Sequence, residues 1–167
     1  MYYDDIETAV GPLRVGVDEA GRLRRATFLA GDHKGDVSRE WAGAVRNRKA
    51  DVAAEQLRQY FAGQRRAFDL PLALDGSEFQ QTVWRALLEV PYGKTASYGD
   101  VARRIGMPGK ARAVGRANGS NPIPVVVPCH RIIGSDGTLA GYGGGLHIKR
   151  YLLELESAAG SLPLPGI

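Results

Sequence analysis

Cysteine is almost missing from this chain: Cys129 is the single one in 167 residues. That excludes an internal disulfide. With only three histidines beside it, the chain also has too few soft ligands for a structural zinc of the usual four-ligand kind. No apolar run approaches the ~18 residues that cross a bilayer, so a membrane-spanning helix is not expected. The opening residues, Met1-Tyr2-Tyr3-Asp4-Asp5-Ile6, put acids where a secretory signal needs a basic start and an apolar stretch, and a cytoplasmic protein is expected. Internal repeats and low-complexity tracts are absent too. Charge of one sign is missing locally: from Arg103 to Arg116 there are five Lys or Arg and no acid, and from Glu154 onward there is no basic residue. A net charge of +4 is too small to prove a polyanionic partner, but its concentration in one stretch points to a local basic surface.

What is present, 44% hydrophobic and 24% charged residues, belongs to an ordinary globular chain of one domain or two small ones. Short strands are predicted at Ile6 to Val10, Leu13 to Val17 and Leu23 to Leu29, separated by Gly11-Pro12 and Ala20-Gly21, which makes an antiparallel meander. Residues 31–48 lack periodicity and read as loop. Ala53, Leu57, Tyr60 and Phe61 recur at helical spacing within Ala50 to Phe61, with Gly63 as the stop, and Phe68 to Leu74 reads as a returning strand. Asp75-Gly76 breaks the pattern, and the domain boundary falls there, giving domains 1–75 and 76–167.

The second part reads as mostly helical. Ser77 with Gln80 forms a capping-box signal ahead of Phe79, Val83, Trp84, Leu87 and Leu88. Ser97 with Asp100 repeats it ahead of Val101, Ala102 and Ile105. After the turn Gly106-Met107-Pro108-Gly109, a helix over Ala111 to Asn118 sets small residues beside Lys110, Arg112 and Arg116, which is a helix-turn-helix pattern whose backbone can approach another surface closely. Val125-Val126-Val127 reads as a buried strand or extended segment, Gly141 to Gly145 as a glycine-rich loop, and Ile148, Tyr151, Leu152 and Leu155 as the buried side of a last helix.

Pro128-Cys129-His130-Arg131 carries the strongest chemical signal, because an imidazole and a guanidinium beside a thiol favour its ionised form. Two readings stay open from residue types alone: a nucleophile, or an inert buried cysteine after a valine run. Neighbouring side chains in extended chain point apart, so a Cys129–His130 partnership requires a turn or a bridging water. His33 and His147 show no comparable setting. Glu156 shares a helix face with Leu152 and Leu155, and if buried it needs a cationic or hydrogen-bonding partner.

Taken together, Arg112-Ala113-Val114-Gly115, Asn121-Pro122, Pro128-Cys129-His130-Arg131, Gly141-Tyr142-Gly143-Gly144-Gly145-Leu146 and Lys149 resemble the O6-alkylguanine-DNA alkyltransferases, in one uninterrupted register over most of residues 77 to 156. The resemblance includes Tyr98-Gly99 upstream and Leu152-Leu153 with Glu156 at the close; the first 75 residues share only size and strand content with that family. It implies an α+β chain: a ribonuclease-H-like N-terminal domain of antiparallel sheet and helix, then a winged-helix-like DNA-binding domain. It implies DNA repair by single, irreversible transfer of a methyl or other alkyl group from O6 of guanine, and O4 of thymine, to the protein's own cysteine. Cys129 is then the acceptor, activated through a water by His130, which Glu156 orients. Tyr98 serves the guanine ring and lies near the phosphates. Ala111, Ala113 and Gly115 enter the minor groove, Arg112 fills the stack in place of the extruded base, and Asn121 is the hinge residue. Pro124, Ile132, Tyr142 and Gly143 line the pocket; Gly143 stands where some relatives have Ser, so only its backbone N–H is on offer. The zinc ligands of some relatives are absent. No cofactor and no metal are implied, and the partner is double-stranded DNA carrying O6-alkylguanine, met by a monomer that clusters on DNA.

Two other classes fit parts of the sequence. A cysteine hydrolase using Cys129 and His130 would turn over and would need no DNA-binding helix. A DNA-binding regulator or damage sensor would use the helix-turn-helix and leave the cysteine incidental.

Overall fold

The computed structural model describes residues 1–30, 37–139, 142 and 145–158, the last without its side chain. Three strands form the meander, β1 (Tyr2–Thr8), β2 (Gly11–Val17) and β3 (Leu23–Phe28). Leu13, Val15 and Val17 alternate along β2, and all three are buried, as is Ile6 of β1. A short helix α1 (Val37–Glu40) and a two-residue strand β4 (Val45–Arg46) stand within the stretch expected to be loop. Strand β4 pairs in parallel with the start of β1, and the sheet order is β3-β2-β1-β4. Neither element has a buried residue to give a periodic signal, so the sequence offered nothing to find.

Helix α2 (Asp51–Phe61) covers the sheet with Ala53, Ala54, Leu57 and Tyr60, spaced three and four apart on one face. Gly63 follows at φ +74°, the left-handed conformation of a helix stop. The return strand expected at Phe68 to Leu74 is instead a single bridge between Leu23 and Leu72. Leu23 N–H donates to the carbonyl of Pro71 at 2.8 Å, and Ala73 N–H donates to Leu23 at 2.8 Å. Pro71 has no N–H to extend a ladder, which confines the pairing to this point.

Helix α3 (Glu78–Leu87) begins at Ser77 with the expected capping box, and α4 (Tyr98–Arg104) begins at Ser97 with the second, each worth roughly 1 kcal/mol. Gly76 has to be glycine for another reason: a Cβ there would lie 2.5 Å from the Trp84 ring. A turn with Gly106 at φ +76° leads to α5 (Ala111–Gly119), so the helix-turn-helix is present. Trp84 pins α3 onto α5 by donating its indole N–H to the Ala117 carbonyl at 2.8 Å.

Two short strands, β5 (Ala96–Ser97) and β6 (Ile132–Ile133), pair in parallel and hold the start of α4 against the segment after Cys129. The chain ends its described part in α6 (Leu146–Ala158). Val125 to Val127, expected as a buried strand or extended segment, is buried but forms a turn in which Val125 takes φ +76°, a costly conformation for a β-branched residue. Prolines 122, 124 and 128 deny this stretch the donors of a ladder, and Asn121 organises it by accepting from Ile123 N–H at 2.9 Å and donating to Val127 at 2.8 Å. The expected glycine loop, Gly143 included, lies largely outside the described residues, as does His33. Among the described residues no helix is long and apolar enough to cross a membrane.

Candidate functional site

Pro128 leads into one tight 3-10 turn, Cys129–Arg131, closed by Arg131 N–H donating to the Pro128 carbonyl at 3.0 Å. The turn supplies what extended chain cannot, since all three side chains go into the interior; Cys129 is 5% exposed and His130 not at all. Glu156 reaches the same place from α6, one and two turns along from Lys149, Leu152 and Leu153, which share its buried stripe.

The Glu156 carboxylate accepts from four donors. His130 Nε2 donates to Oε2 at 2.8 Å. Arg131 spans both oxygens, Nε to Oε1 at 2.8 Å and Nη2 to Oε2 at 2.9 Å, while its Nη1 donates to the Val90 carbonyl at 2.8 Å. Tyr60, from α2, donates its hydroxyl to Oε2 at 2.6 Å. Burial pushes the carboxyl toward its neutral form, but the His130 and Arg131 interactions outweigh this and hold it well below the ordinary carboxylate range. An ionised carboxylate only accepts, so His130 carries hydrogen on Nε2 and keeps its lone pair on Nδ1. That Nδ1 is buried and has no hydrogen-bond partner among the described residues. Burial, aided by Arg131 and Lys149, lowers the His130 pKa against the pull of Glu156, so the ring is neutral at pH 7.

The thiol is not poised as thiolate, contrary to what its neighbours in sequence suggested. Burial pushes the Cys129 pKa up to about 11; a hydrogen bond from the Asn121 side chain, the charge of Lys149 and the backbone N–H groups of Cys129 and His130 only partly oppose this. At neutral pH about one molecule in 10⁴ carries the anion. Lys149 is enclosed in the same region: it donates to the Ile132 carbonyl at 2.6 Å, and burial brings its pKa down to about 8, the nearby cysteine opposing.

Above the turn sits the helix-turn-helix. Tyr98, the first residue of α4, is half-buried, its hydroxyl pKa raised by burial and by the neighbouring Cys129. Tyr98 packs beside Gly115 of α5, where a Cβ would lie 3.6 Å from the ring, an ordinary contact. On α5, Arg112 and Arg116 are exposed one turn apart, and Ala111, Ala113 and Gly115 are half-buried. Ile132 is enclosed beside the turn, its N–H donating to the Cys129 carbonyl. Burial, with the nearby Cys129 and Glu156, raises the Tyr142 pKa well above its ordinary value, and its hydroxyl is buried without a partner among the described residues. Pro124 is half-buried in the turn that Asn121 braces. Gly143 lies outside the described residues.

Cys129, His130, Glu156, Asn121, Tyr98, Ile132 and Tyr142 thus converge from four elements and the segments between them. Sequence reading missed Tyr60, counted there as apolar core, and the burial of Lys149. The seven-residue spacing of Lys149 and Glu156 around Leu152 and Leu153 was a usable signal for the lysine; nothing local marked Tyr60. Among the described residues no cluster of His, Cys, Asp and Glu is arranged to hold a metal.

A sheet-bearing first part and a helical second part, with a basic helix-turn-helix set over a buried cysteine, define the class. Residues 1–74 match the family described as "6-O-methylguanine DNA methyltransferase, ribonuclease-like domain" and residues 78–158 the one described as "6-O-methylguanine DNA methyltransferase, DNA binding domain". The chain belongs to the 6-O-methylguanine DNA methyltransferase family. It is 48% identical over 157 residues to a methylated-DNA--protein-cysteine methyltransferase of Methanosarcina barkeri, covering 93% of this chain and 97% of that protein. Over 106 residues, 64% of each chain, it is 60% identical to the protein of the same name from Mycobacterium tuberculosis. The crystal structure of Mycobacterium tuberculosis OGT in complex with DNA superposes with a TM-score of 0.85 at 44% identity, over 96% of both chains.

Proposed function

We propose that this protein repairs DNA by taking an alkyl group from O6 of guanine, and from O4 of thymine, onto Cys129 in a single irreversible event. The observation that carries the reading is the buried thiol on the turn whose next residue, His130, is fixed by Glu156, directly behind the helix-turn-helix. A thiol held at about 11 is protonated at rest, so a base has to take its proton for the sulfur to attack. His130 is the group to take it, through a water: neutral, fixed at Nε2 and presenting a lone pair at Nδ1. Sulfur then displaces guanine from the alkyl carbon; an S–C bond forms, the C–O bond breaks, and the thiol proton ends on the departing guanine. Tyr98, beside Cys129, serves the guanine ring as it gains charge. A thioether has no good leaving group, so the protein is consumed.

A guanine inside duplex DNA cannot reach a buried thiol and must rotate out of the stack at a cost of a few kcal/mol. Ala111, Ala113 and Gly115 let α5 approach the minor groove, and the exposed Arg112 fills the vacated position. The extruded base enters a pocket of Pro124, Ile132, Tyr142 and Gly143, with Asn121 bracing the turn between helix and cysteine. The two halves, 1–75 and 76–167, correspond to a ribonuclease-H-like and a winged-helix-like domain. The protein acts in the cytoplasm as a monomer that gathers on DNA.

Intact-mass measurement after mixing with duplex DNA containing O6-methylguanine tests the reading: one methyl group is gained on Cys129, and Cys129→Ala gains none while still binding DNA. Methyl transfer by Cys129→Ala would refute it, and repeated turnover on an ester would point to the hydrolase instead.

A further inference from the structure

The N-terminal half sends one polar group into the cluster at Cys129, and it is a group the reaction as described leaves idle. Tyr60 is fully buried on α2, and its hydroxyl donates to Glu156 Oε2, the same oxygen that accepts from His130 Nε2. Ninety-six residues separate the pair along the chain. Edge-on contacts with Phe61 and Tyr92, at 5.3 and 6.2 Å between ring centroids, hold the Tyr60 ring in place. Packing alone would be served by phenylalanine. The hydroxyl has to be explained by its acceptor, and that acceptor sets the strength of the base.

We propose that Tyr60 is a positioning residue for alkyl transfer: its hydroxyl takes up part of the Glu156 charge and so tempers the pull of Glu156 on His130, keeping the imidazole neutral and its Nδ1 available. This rests on the activation reading above. The charged and titratable groups around the pair all point the same way or stand fixed. Arg131, from the turn, occupies both carboxylate oxygens, and Lys149, from α6, adds a positive charge. Cys129 is neutral at working pH, and so is Tyr142. From the other side Tyr92 packs against Tyr60, with Arg66 5.4 Å above its ring. Burial and Glu156 raise the Tyr60 pKa well above its usual value, so the hydroxyl stays a donor wherever the protein is folded. Without that donor the carboxylate has one fewer partner, the imidazolium becomes easier to form, and the base is lost at a higher pH.

The test is the pH dependence of methyl transfer from O6-methylguanine duplex DNA, followed by intact mass on the full chain, with the ¹⁵N resonances of His130 titrated alongside. Tyr60→Phe should move the acid limb of the rate, and the His130 titration, upward by roughly half a unit or more, as loss of one hydrogen bond to a charged group implies. In a Glu156→Gln background the same substitution should move neither. Site-specific 3-fluorotyrosine at position 60, a stronger donor of nearly the same shape, should move both downward, and it carries the test should Tyr60→Phe fold poorly. An unmoved limb in both Tyr60 variants, or an equal shift with and without Glu156, would overturn the inference and leave a purely structural tyrosine. If Glu156→Gln alone keeps the parent profile, the activation reading fails and takes this inference with it. If Glu156→Gln moves the profile while the Tyr60 variants do not, only the inference fails.

Discussion

Arg131 grips Glu156 through two near-parallel hydrogen bonds, Nε to Oε1 at 2.8 Å and Nη2 to Oε2 at 2.9 Å, with neither side chain more than slightly exposed. The pair turns what would be an isolated buried anion beside His130 into a nearly neutral unit, and this is why a carboxylate can serve the imidazole so deep in the fold.

Removing one partner should therefore be costly. Arg131→Gln is expected to destabilise the protein by about 3–5 kcal/mol, because a buried carboxylate loses its counter-charge. Urea denaturation measures this; a loss under about 1 kcal/mol, the scale of a surface pair, would show that the carboxylate is adequately held by His130 and Tyr60 alone.

The resting thiol should titrate late. A thiol-reactive probe followed across pH should give a midpoint near pH 11 for Cys129 in the folded protein, against about 9 for the residue unperturbed. Asn121→Ala should raise it further, since it removes a hydrogen bond that favours the anion, whereas Lys149→Met should move it little, because Lys149 has lost its charge before the thiol titrates. Glu156→Gln should slow methyl transfer while shifting this midpoint less than Asn121→Ala does. A midpoint near 7 in the parent protein would mean that burial is overcome by a group not identified at the site.

Lys149 gives a signature in alkaline stability. Its pKa falls from 10.5 to about 8 on folding, so between those values the unfolded chain holds a proton the folded one has released, and stability rises with pH. Cys129 moves the other way, from 9 to about 11, so above pH 9 the unfolded chain loses a proton the folded one keeps, and stability falls. The net gain is confined to pH 8–9 and amounts to roughly 1 kcal/mol. Lys149→Met should abolish it in denaturation curves at the two pH values; persistence of the gain in that variant would assign it elsewhere.

Arg112→Ala should separate base extrusion from chemistry. Repair in duplex DNA is expected to slow about tenfold or more, part of a flipping cost of a few kcal/mol being left unmet, while reaction with free O6-benzylguanine stays near that of the parent. Kinetics on both substrates decide this, and equal losses would show that Arg112 does not stand in for the extruded base.

Local chemistry was legible in the residues themselves. Ser77 with Gln80 and Ser97 with Asp100 announced two helix starts, because a capping box is written within four residues. The meander followed from short strand-like segments punctuated by Gly11-Pro12 and Ala20-Gly21, and the family from Pro128-Cys129-His130-Arg131 and its flanking motifs. Where local signals were weak, the fold departed from them. Valines 125 to 127 have strand propensity, yet prolines and the Asn121 amide bend them into a turn, since backbone donors outrank side-chain preference.

The sequence by itself thus determined the helix-turn-helix, written in neighbours a few residues apart, and the family, written in a register of motifs from residue 77 to 156. The tertiary structure alone decided the charge state of the site. Burial, a property of the whole fold, made Cys129 a thiol and not a thiolate, lowered Lys149 and kept His130 neutral. Long-range packing brought Tyr60 and Arg131 onto Glu156, and electrostatic energies depend on distance through space and on the exclusion of water, neither of which is set by position along the chain.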